Sequence, residues 1–383
     1  MEAIFALVIV GIAMLIPVAI VGLALYIGYR ARANRDEAWR NTASRLGLQF
    51  VPGRIWGTLN GQSVQCGIEI RGGGKNQETW TVVWGFVQPK LDLGVAVHRE
   101  NTIIDALASL FGAQDIEIGD PSFDRAFVIK GDEPSRVAEL LRPDLRMFLI
   151  RAKEQQLDVQ LTDLGMMVQT RGAITSQPWI ESVLSMMAHA AALVSAAREQ
   201  VPISSALAPH YEVWSSFARA HGLQGMTTPF AMWGDLDGSK VTVSALRTGQ
   251  CQYKAQVLVH YPTPLQLGLR VRPGGTLDAV FTFLGGQDHK IGDPAFDAAF
   301  VVKANTTTQL RQIFDMTVRQ TMLNIVQRVG PVEVRDDGVA VTTEGFPRDP
   351  AVIPQLVDVI KGVAQAVHAN AGQIVPVHIG PYR

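Results

Sequence analysis

The sequence predicts an α+β protein in which one N-terminal transmembrane helix precedes two tandem homologous domains. Three observations lead to this prediction: a long uncharged stretch opens the chain, a near-identical segment occurs twice, and the strand and helix patterns around the two segments follow the same order. The chain has 383 residues, of which 47% are hydrophobic and 18% charged, a balance typical of folded domains and not of a disordered chain.

The opening stretch carries no charged side chain from Ala3 to Gly28. Its 26 residues exceed the roughly 20 that a helix needs to cross the hydrocarbon core of a bilayer. A cleavable signal peptide would need basic residues before a shorter apolar core, whereas the charged residue before this stretch is Glu2. We therefore expect residues 1–30 to form a retained anchor that contacts the lipid bilayer through residues 3–28.

Arginines follow the stretch and no lysine or arginine precedes it; the four are Arg30, Arg32, Arg35 and Arg40. The positive-inside rule places such a flank in the cytoplasm. The sequence thus predicts a single-pass protein of the cell (inner) membrane, with its N-terminus outside and its soluble domains cytoplasmic.

An internal duplication organises the rest of the chain. The segment "FGAQDIEIGDPSFDRAFVIK", from Phe111 to Lys130, matches "LGGQDHKIGDPAFDAAFVVK" at thirteen of twenty positions with an offset of 173 residues. The same offset aligns Asp163 with Asp336 and Gly165 with Gly338. A single long repeat predicts two similar domains and not a solenoid of many short units. The expected divisions are repeat 1 at 31–200, a linker at 201–211, repeat 2 at 212–371 and a tail at 372–383.

Each copy shows the same coarse order of elements. A short helix containing Trp39 or Trp214 comes first, strands with a hairpin signal at Asn60-Gly61 or Asp237-Gly238 follow, and a long helix closes the copy. This order predicts a mainly antiparallel sheet or partial barrel with one face covered by the C-terminal helix. Seven strands and a C-terminal helix also resemble the pleckstrin-homology-like barrel, from which the extra helices inside each copy depart.

The repeated motif has two interpretations. As structure, Asp120-Pro121 and Asp293-Pro294 have the order of a helix N-cap and a first helical residue. As chemistry, the aspartates are candidates for metal binding or acid–base catalysis. A partner for catalysis does not recur in both copies, because Ile116 stands where the second copy has His289. The structural motif is predicted to comprise Gly119, Asp120, Pro121, Phe123, Asp124 and Phe127, with Gly292, Asp293, Pro294, Phe296, Asp297 and Phe300.

Other site classes find little support. A net charge of −1 gives no basic field for nucleic acid. The two cysteines, Cys66 and Cys251, are not at equivalent places in the copies, and the histidines lack metal-pair spacing. The stretch "RGGGKNQ" (Arg71 to Gln77) lacks the spacing of a phosphate-binding loop. We expect no cofactor, no metal and no catalytic residue from these features.

One family resemblance rests on the motif. The pattern G-D-x-x-F-D-x-x-F-x-V, which runs from Gly292 to Val302 in the second copy, is followed in each copy by a short strand pair. It resembles uncharacterised bacterial single-pass membrane proteins of a family of unknown function. The resemblance implies a bacterial origin and no particular activity.

These observations favour a membrane-anchored, non-catalytic binding or scaffolding protein, because the shared residues are mostly of architectural types. Two alternatives stay open. In the first, the domain pair binds lipid or a small apolar ligand. This alternative is suggested by the alternation of Trp80 and Trp84 and by the apolar helices expected at Ile103–Phe111 and Leu277–Leu284. Alternatively, the chain is a hydrolase that uses Asp120 or Asp293. The partner, a protein or a lipid ligand, and the oligomeric state are not specified by the sequence.

Overall fold

The computed structural model describes residues 2–73, 76–99, 114–249, 251–274, 287–304 and 310–373, without the side chains of residues 2–20, 24 and 25. The chain divides into two compact units, Met1–Gln200 and Val201–Arg383. The helices expected at Ile103–Phe111 and Leu277–Leu284 lie outside the described residues, as do Lys75 and the tail from residue 374.

The described residues of the first unit form five helices and nine strands. Its helices are α1 (Glu2–Leu46), α2 (Pro121–Asp124), α3 (Pro134–Leu140), α4 (Pro143–Glu154) and α5 (Gln177–Arg198). Its strands are β1 (Gln49–Val51), β2 (Arg54–Leu59), β3 (Gln62–Arg71), β4 (Glu78–Phe86), β5 (Ala96–His98), β6 (Gln114–Asp115), β7 (Val128–Gly131), β8 (Asp158–Thr162) and β9 (Gly165–Arg171).

The second unit repeats this order after a buried connection. Val201, Ser204 and Leu207 of the expected linker are buried, and its last residues belong to the next helix. The helices are α6 (Ala208–Ala220), α7 (Pro294–Ala299), α8 (Leu310–Ile313), α9 (Met316–Arg328) and α10 (Val352–Gly372). The strands are β10 (Gln224–Thr227), β11 (Phe230–Leu236), β12 (Ser239–Gly249), β13 (Gln252–His260), β14 (Arg270–Pro273), β15 (Gln287–His289), β16 (Phe300–Ala304), β17 (Val332–Arg335) and β18 (Gly338–Thr342).

Each unit is built on one antiparallel sheet, which confirms the predicted α+β class and the tandem sheet domains. The strand order is β1-β2-β3-β4-β9-β8-β5-β7-β6 in the first sheet, and the second sheet has the same order. In the described part of each unit the sheet has nine strands, where the sequence indicated seven. Two short strands, β1 with three residues and β6 with two, have too few residues to show the alternation that predicts a strand.

The first helix is longer than the sequence indicated. The sequence predicts a span and then a separate short helix around Trp39, whereas the backbone is one helix of 45 residues. The residues after Gly28 are rich in alanine and arginine, which favour helix, and contain no glycine or proline until Gly47. Trp39 is fully buried, and its indole donates to the carbonyl of Ile174 at 2.8 Å. The end of α1 is therefore part of the first domain.

The closing helix α5 covers one face of the first sheet. Ile180, Leu184 and Met187 on this helix are fully buried. Among the residues whose side chains are described, α5 is the one helix long and apolar enough to cross a membrane. Half of its most apolar segment is, however, buried inside the unit. This burial is what a core helix shows.

A loop wraps the turn between β8 and β9. The β4–β5 connection must pass that turn, because β9 and β8 lie between β4 and β5 in the sheet. The carboxylate of Asp163 in the turn accepts backbone hydrogen bonds from Leu93, Gly94 and Val95 at 2.9, 2.9 and 3.2 Å. Gly94 has a φ of +64°, a conformation that suits glycine. One carboxylate thus fixes the path of the loop.

The second domain has the same interaction between a turn carboxylate and the backbone of a loop, which we call the carboxylate clamp. Asp336, the equivalent of Asp163, accepts from the backbone of Leu267, Gly268 and Leu269 at 3.1, 2.8 and 2.9 Å. The indole of Trp214, the equivalent of Trp39, donates to the carbonyl of Pro347 at 3.1 Å. The duplicated positions therefore make duplicated contacts.

We predict that Gly85→Ala destabilises the first domain by about 1–3 kcal/mol, because a Cβ there would clash with the backbone oxygen of Met187 on α5 and overpack the interface. Gly67→Ala in the neighbouring strand is the matched control. Its Cβ would lie 3.7 Å from the flexible end of Gln65, so we expect a change within about 0.5 kcal/mol. Urea denaturation of both variants measures the difference, and equal effects would contradict the proposed packing constraint.

We also predict that Asp336→Asn lowers the free energy of unfolding by about 2 kcal/mol. The substitution replaces an ionised carboxylate, whose two oxygens accept three backbone hydrogen bonds, with a neutral amide that has one acceptor oxygen. The adjacent Asp337→Asn provides the control. Asp337 pairs with Arg335 at 3.3 Å with half of its side chain exposed, so its loss should cost under about 1 kcal/mol. Chemical denaturation of the two variants tests this prediction. If their denaturation curves coincided, the clamp would not stabilise the domain.

Candidate functional site

The repeated motif forms a tight corner in the first domain. Asp120 is the N-cap of the short helix α2, and Pro121 is the first helical residue. Its Oδ1 accepts from the backbone N–H groups of Ser122 and Phe123 at 3.2 and 3.3 Å, and from the Ser122 hydroxyl at 2.6 Å. These contacts satisfy donors that the start of a helix leaves without partners.

The second aspartate of the motif closes the corner from the other side. Asp124 accepts from the backbone N–H groups of Ile118 and Gly119, both at 3.1 Å. Gly119 has a φ of +80°, so a side chain there would strain the turn. The two aspartates together hold both ends of the corner, from Ile118 to Asp124.

Aromatic side chains anchor this corner in the core. Phe123 and Phe127 are buried, and their ring centroids are 4.9 Å apart. Lys153 of α4 lies over the ring of Phe127 at 5.7 Å and donates to the carbonyl of Ala126 at 3.2 Å. The phenylalanines therefore belong to the packing between the corner and α4.

The second domain has the same corner. Asp293 caps α7 through the backbone N–H groups of Ala295 and Phe296, both at 3.2 Å, and Pro294 is again the first helical residue. The remaining motif residues make the matching contacts: Asp297 accepts from Ile291 and Gly292 at 2.9 Å, Gly292 has a φ of +86°, and the rings of Phe296 and Phe300 are 4.6 Å apart. The two corners belong to separate units.

An arginine that the sequence analysis missed completes each corner. Arg146 of α4 donates to Oδ2 of Asp120 at 2.8 Å, and Arg319 of α9 donates to Oδ2 of Asp293 at 2.8 Å. The two arginines are 173 residues apart, the offset of the repeat. The sequence therefore shows that the arginine recurs in both copies, but only the folded chain shows which acidic residue each arginine contacts.

The surroundings keep both capping aspartates ionised. The pKa of Asp120 is lowered mainly by the Ser122 hydroxyl, then by the backbone N–H of Phe123, with a smaller contribution from Arg146. The pKa of Asp293 is lowered mainly by the backbone N–H of Phe296, then by Arg319. A carboxylate with a depressed pKa and both oxygens engaged is a poor general base near neutral pH.

A shallow cavity of about 320 Å³ lies beside the corner of the first domain. It is lined by Asp120, Pro143, Arg146, Met147, Ile150, Arg151 and Glu154. The Met147 side chain is 48% exposed, and Nε of Arg146 is buried with no hydrogen-bond partner among the described residues. The cavity therefore offers an apolar strip along α4 next to charged groups of both signs.

The lining of this cavity has diverged between the copies. The corner pair is retained in the second domain as Asp293 and Arg319, but the other positions are changed. Met316, Gln320, Leu323, Asn324 and Gln327 stand there in place of Pro143, Met147, Ile150, Arg151 and Glu154. Met147 and the charges of Arg151 and Glu154 are thus particular to the first domain, whereas the ion pair is common to both and Ile150 is replaced by another apolar residue.

Metal and thiol chemistry find no site in the described part of the chain. No group of three or more His, Cys, Asp or Glu side chains there is placed to hold a metal ion. Among the described residues neither Cys66 nor Cys251 forms a disulfide, and burial raises the pKa of the Cys66 thiol. A buried thiol with a raised pKa is a weak nucleophile.

We predict that Asp120→Asn with Asp293→Asn lowers the melting temperature through the loss of two charged caps. Because the pKa of each carboxyl is lowered on folding, its stabilisation is present above the ordinary aspartate pKa of about 4 and is lost as the pH falls through the folded value. The difference from the unmodified protein should thus be largest near neutral pH and shrink in acid.

Thermal melts from neutral to acidic pH test this expectation, with Asp358→Asn on the exposed side of α10 as the control. An unchanged melting temperature in the double variant would contradict the structural role. If the double variant kept its melting temperature but lost a hydrolytic activity, the hydrolase alternative would replace the structural role of the two aspartates.

Comparison with known proteins adds little to this geometry. No protein-family model and no curated protein sequence matches the chain. Among solved structures, the chain is similar to the crystal structure of the mycobacterial trehalose monomycolate transport factor A, TtfA, with 10% sequence identity and a TM-score of 0.31. The match covers 44% of this chain and 97% of that chain. A likeness at this level carries no argument about fold or function.

Proposed function

We propose that the protein is a non-catalytic binding or scaffolding protein held at the membrane by α1. The observation that carries this proposal is the exposure of α1 before it enters the first domain. Every described side chain from residue 21 to residue 34 is exposed, including the large apolar Val21, Leu23, Tyr26, Ile27 and Tyr29 at 55–73%. Nothing in the described part of the first domain covers these side chains.

A bilayer is the environment that suits this segment. Its backbone N–H and C=O groups are paired within the helix, as hydrocarbon requires. The apolar exposure continues an uncharged stretch that begins at Ala3, and Tyr26 and Tyr29 stand at its end, where aromatic side chains favour the headgroup region. We infer a single span through residues 3–28.

The orientation follows from the arginines after the span, of which Arg30 and Arg32 are the first. Under the positive-inside rule both domains are cytoplasmic and the N-terminus is outside. The resemblance of the motif to bacterial membrane proteins supports the inner membrane of a bacterial cell as the location.

The state of the repeated aspartates supports a non-catalytic role. Asp120 and Asp293 each cap a helix and pair with an arginine, and the same contacts occur in both domains. Residues that hold a fold together are those that both copies retain. A binding function belongs on surfaces where the copies differ, and the cavity along α4 is such a surface.

A second candidate, binding of lipid or a small apolar ligand, is favoured by two features of the first domain. The cavity along α4 places Met147 and Ile150 next to Arg146 and Arg151, an arrangement that suits an amphipathic ligand. Its volume is near the lower end for ligand pockets, which is about 300 Å³. Trp84 on β4, whose ring stacks on Phe86 at 5.4 Å, is half-buried on the face away from α5.

We predict that removal of residues 2–28 releases the protein from membranes into the soluble fraction, because it removes the apolar stretch while leaving the buried Trp39 in place. The intact chain should stay in the pellet after alkaline carbonate washing and require detergent. A truncated chain that still sediments with membranes would contradict anchoring by α1 alone.

Reporter fusions test the orientation separately. Alkaline phosphatase fused after Arg383 should be inactive, and the same enzyme fused before Met1 should be active, since this enzyme matures outside the cytoplasm. The opposite pattern would reverse the proposed topology. Native mass spectrometry of the detergent-purified protein distinguishes the second candidate, which predicts lipid that co-purifies over several preparations.

A further inference from the structure

One end of the first sheet faces the same direction as the exposed part of α1. The backbone N–H of Gly53, in the β1–β2 turn, donates to Asp36 of α1 at 3.2 Å. Further along, Arg40 lies over the ring of Phe50 at 5.2 Å, and Leu48 follows the helix and lies against Gly57 of β2. Helix α1 and strand β2 therefore run in the same direction, away from the exposed helical segment.

Strand β3 returns toward that segment and passes beyond the β1–β2 turn. In the β2–β3 register, Arg54 lies opposite Gly67, and the backbone N–H of Ile68 donates to the carbonyl of Gly53 at 3.2 Å. Ile70 is two residues beyond Ile68 on β3, about 7 Å at the rise of a strand. The β3–β4 hairpin thus extends past the point where α1 meets the domain.

Distances along α1 relate this hairpin to the end of the uncharged stretch. Asp36, level with Gly53, is eight residues after Gly28, about 12 Å at the rise of a helix. Ile70 lies about 7 Å beyond the level of Gly53 in the same direction, which is close to the level of Arg32 on α1 and about 5 Å from the level of Gly28. If residues 3–28 cross the bilayer, Ile70 lies among the lipid headgroups.

The arms of this hairpin have the chemistry of a surface that can rest there. Ile70 is 62% exposed, and every described residue from Gly72 to Gln77 is exposed. The charges at this end of the sheet are paired, Arg71 with Glu69 at 2.7 Å on β3, and Glu78 of β4 with Arg171 of the neighbouring β9 at 2.6 Å. The described residues therefore present no net negative charge to anionic headgroups. At the position of Ile70 the second domain has Arg247.

We propose that the end of the first sheet formed by Ile70 and the residues 71–73 and 76–79 is a second contact with the bilayer, on the headgroups of the membrane that α1 crosses. This inference rests on the proposed span. The partner is the lipid surface itself, and the contact keeps the first domain at a fixed height and tilt, since α1 enters the domain as one unbroken helix.

Fluorescence quenching in vesicles tests the contact with the full-length chain. Single cysteines replace Ile70, Thr58 and Val21 in a Cys251→Ser background that keeps the buried Cys66, and each is labelled with the same fluorophore. Thr58 is the matched control, because it is an exposed strand residue at the far end of the same sheet, opposite Ser63. The vesicles contain phosphatidylcholine and phosphatidylglycerol, with a nitroxide on the headgroup of part of the lipid.

We expect loss of fluorescence at position 70 and none above background at position 58. Equal signals at positions 70 and 58 would overturn the contact. The label at position 21, with nitroxide in the acyl chain, reports the span separately: quenching there without quenching at position 70 removes this inference and leaves the anchor, whereas no quenching at position 21 removes the anchor itself. Unchanged melting temperatures show that the labelled variants remain folded.

Discussion

The carboxylate clamp at the β8–β9 turn is the interaction on which the rest of each domain depends. Strand β4 pairs with β9 and not with β5, so the chain must leave the sheet after β4, pass the turn of a hairpin that forms about 70 residues later, and re-enter as β5. Asp163 receives three backbone N–H groups of that connection. A loop of this kind would otherwise leave polar backbone groups unpaired near the core, which is costly.

The duplication separates architecture from function. The clamp, the indole of Trp39 or Trp214, the capped corner and its arginine occur in both domains with the same partners. Their retention in two copies of one chain is explained by geometry, because the clamp, the indole and the arginine each join segments far apart in sequence and the capped corner closes a tight turn. The surfaces that differ, such as the lining of the cavity along α4 and the hairpin at Ile70, are where the proposed binding functions lie.

The continuity of α1 gives the membrane proposal a mechanical consequence. A flexible linker would let the domains reorient freely above a bilayer, whereas one helix that buries Trp39 and Ala43 in the first domain transmits the tilt of the span to the sheet. Rigid coupling of this kind makes the position of the hairpin relative to the membrane a property of the fold.

Local patterns were sufficient for several elements. The sequence by itself determined the α+β class, the two homologous domains and the hairpin turns, because these depend on alternation, glycine placement and an offset visible along the chain. The capping role of Asp120 was also readable, since an N-cap contacts donors only two and three residues away. Strands of two or three residues were not, because so short a run has no period.

Only the tertiary structure decided the strand order, the clamp at Asp163 and the pairing of Asp120 with Arg146. These contacts join residues from 26 to about 70 positions apart, and no local pattern specifies which of many charged side chains meet. The unbroken path of α1 into the first domain was likewise settled by burial of Trp39 against a carbonyl 135 residues away. The sequence determined which residues recur, and packing between distant segments decided what those residues do.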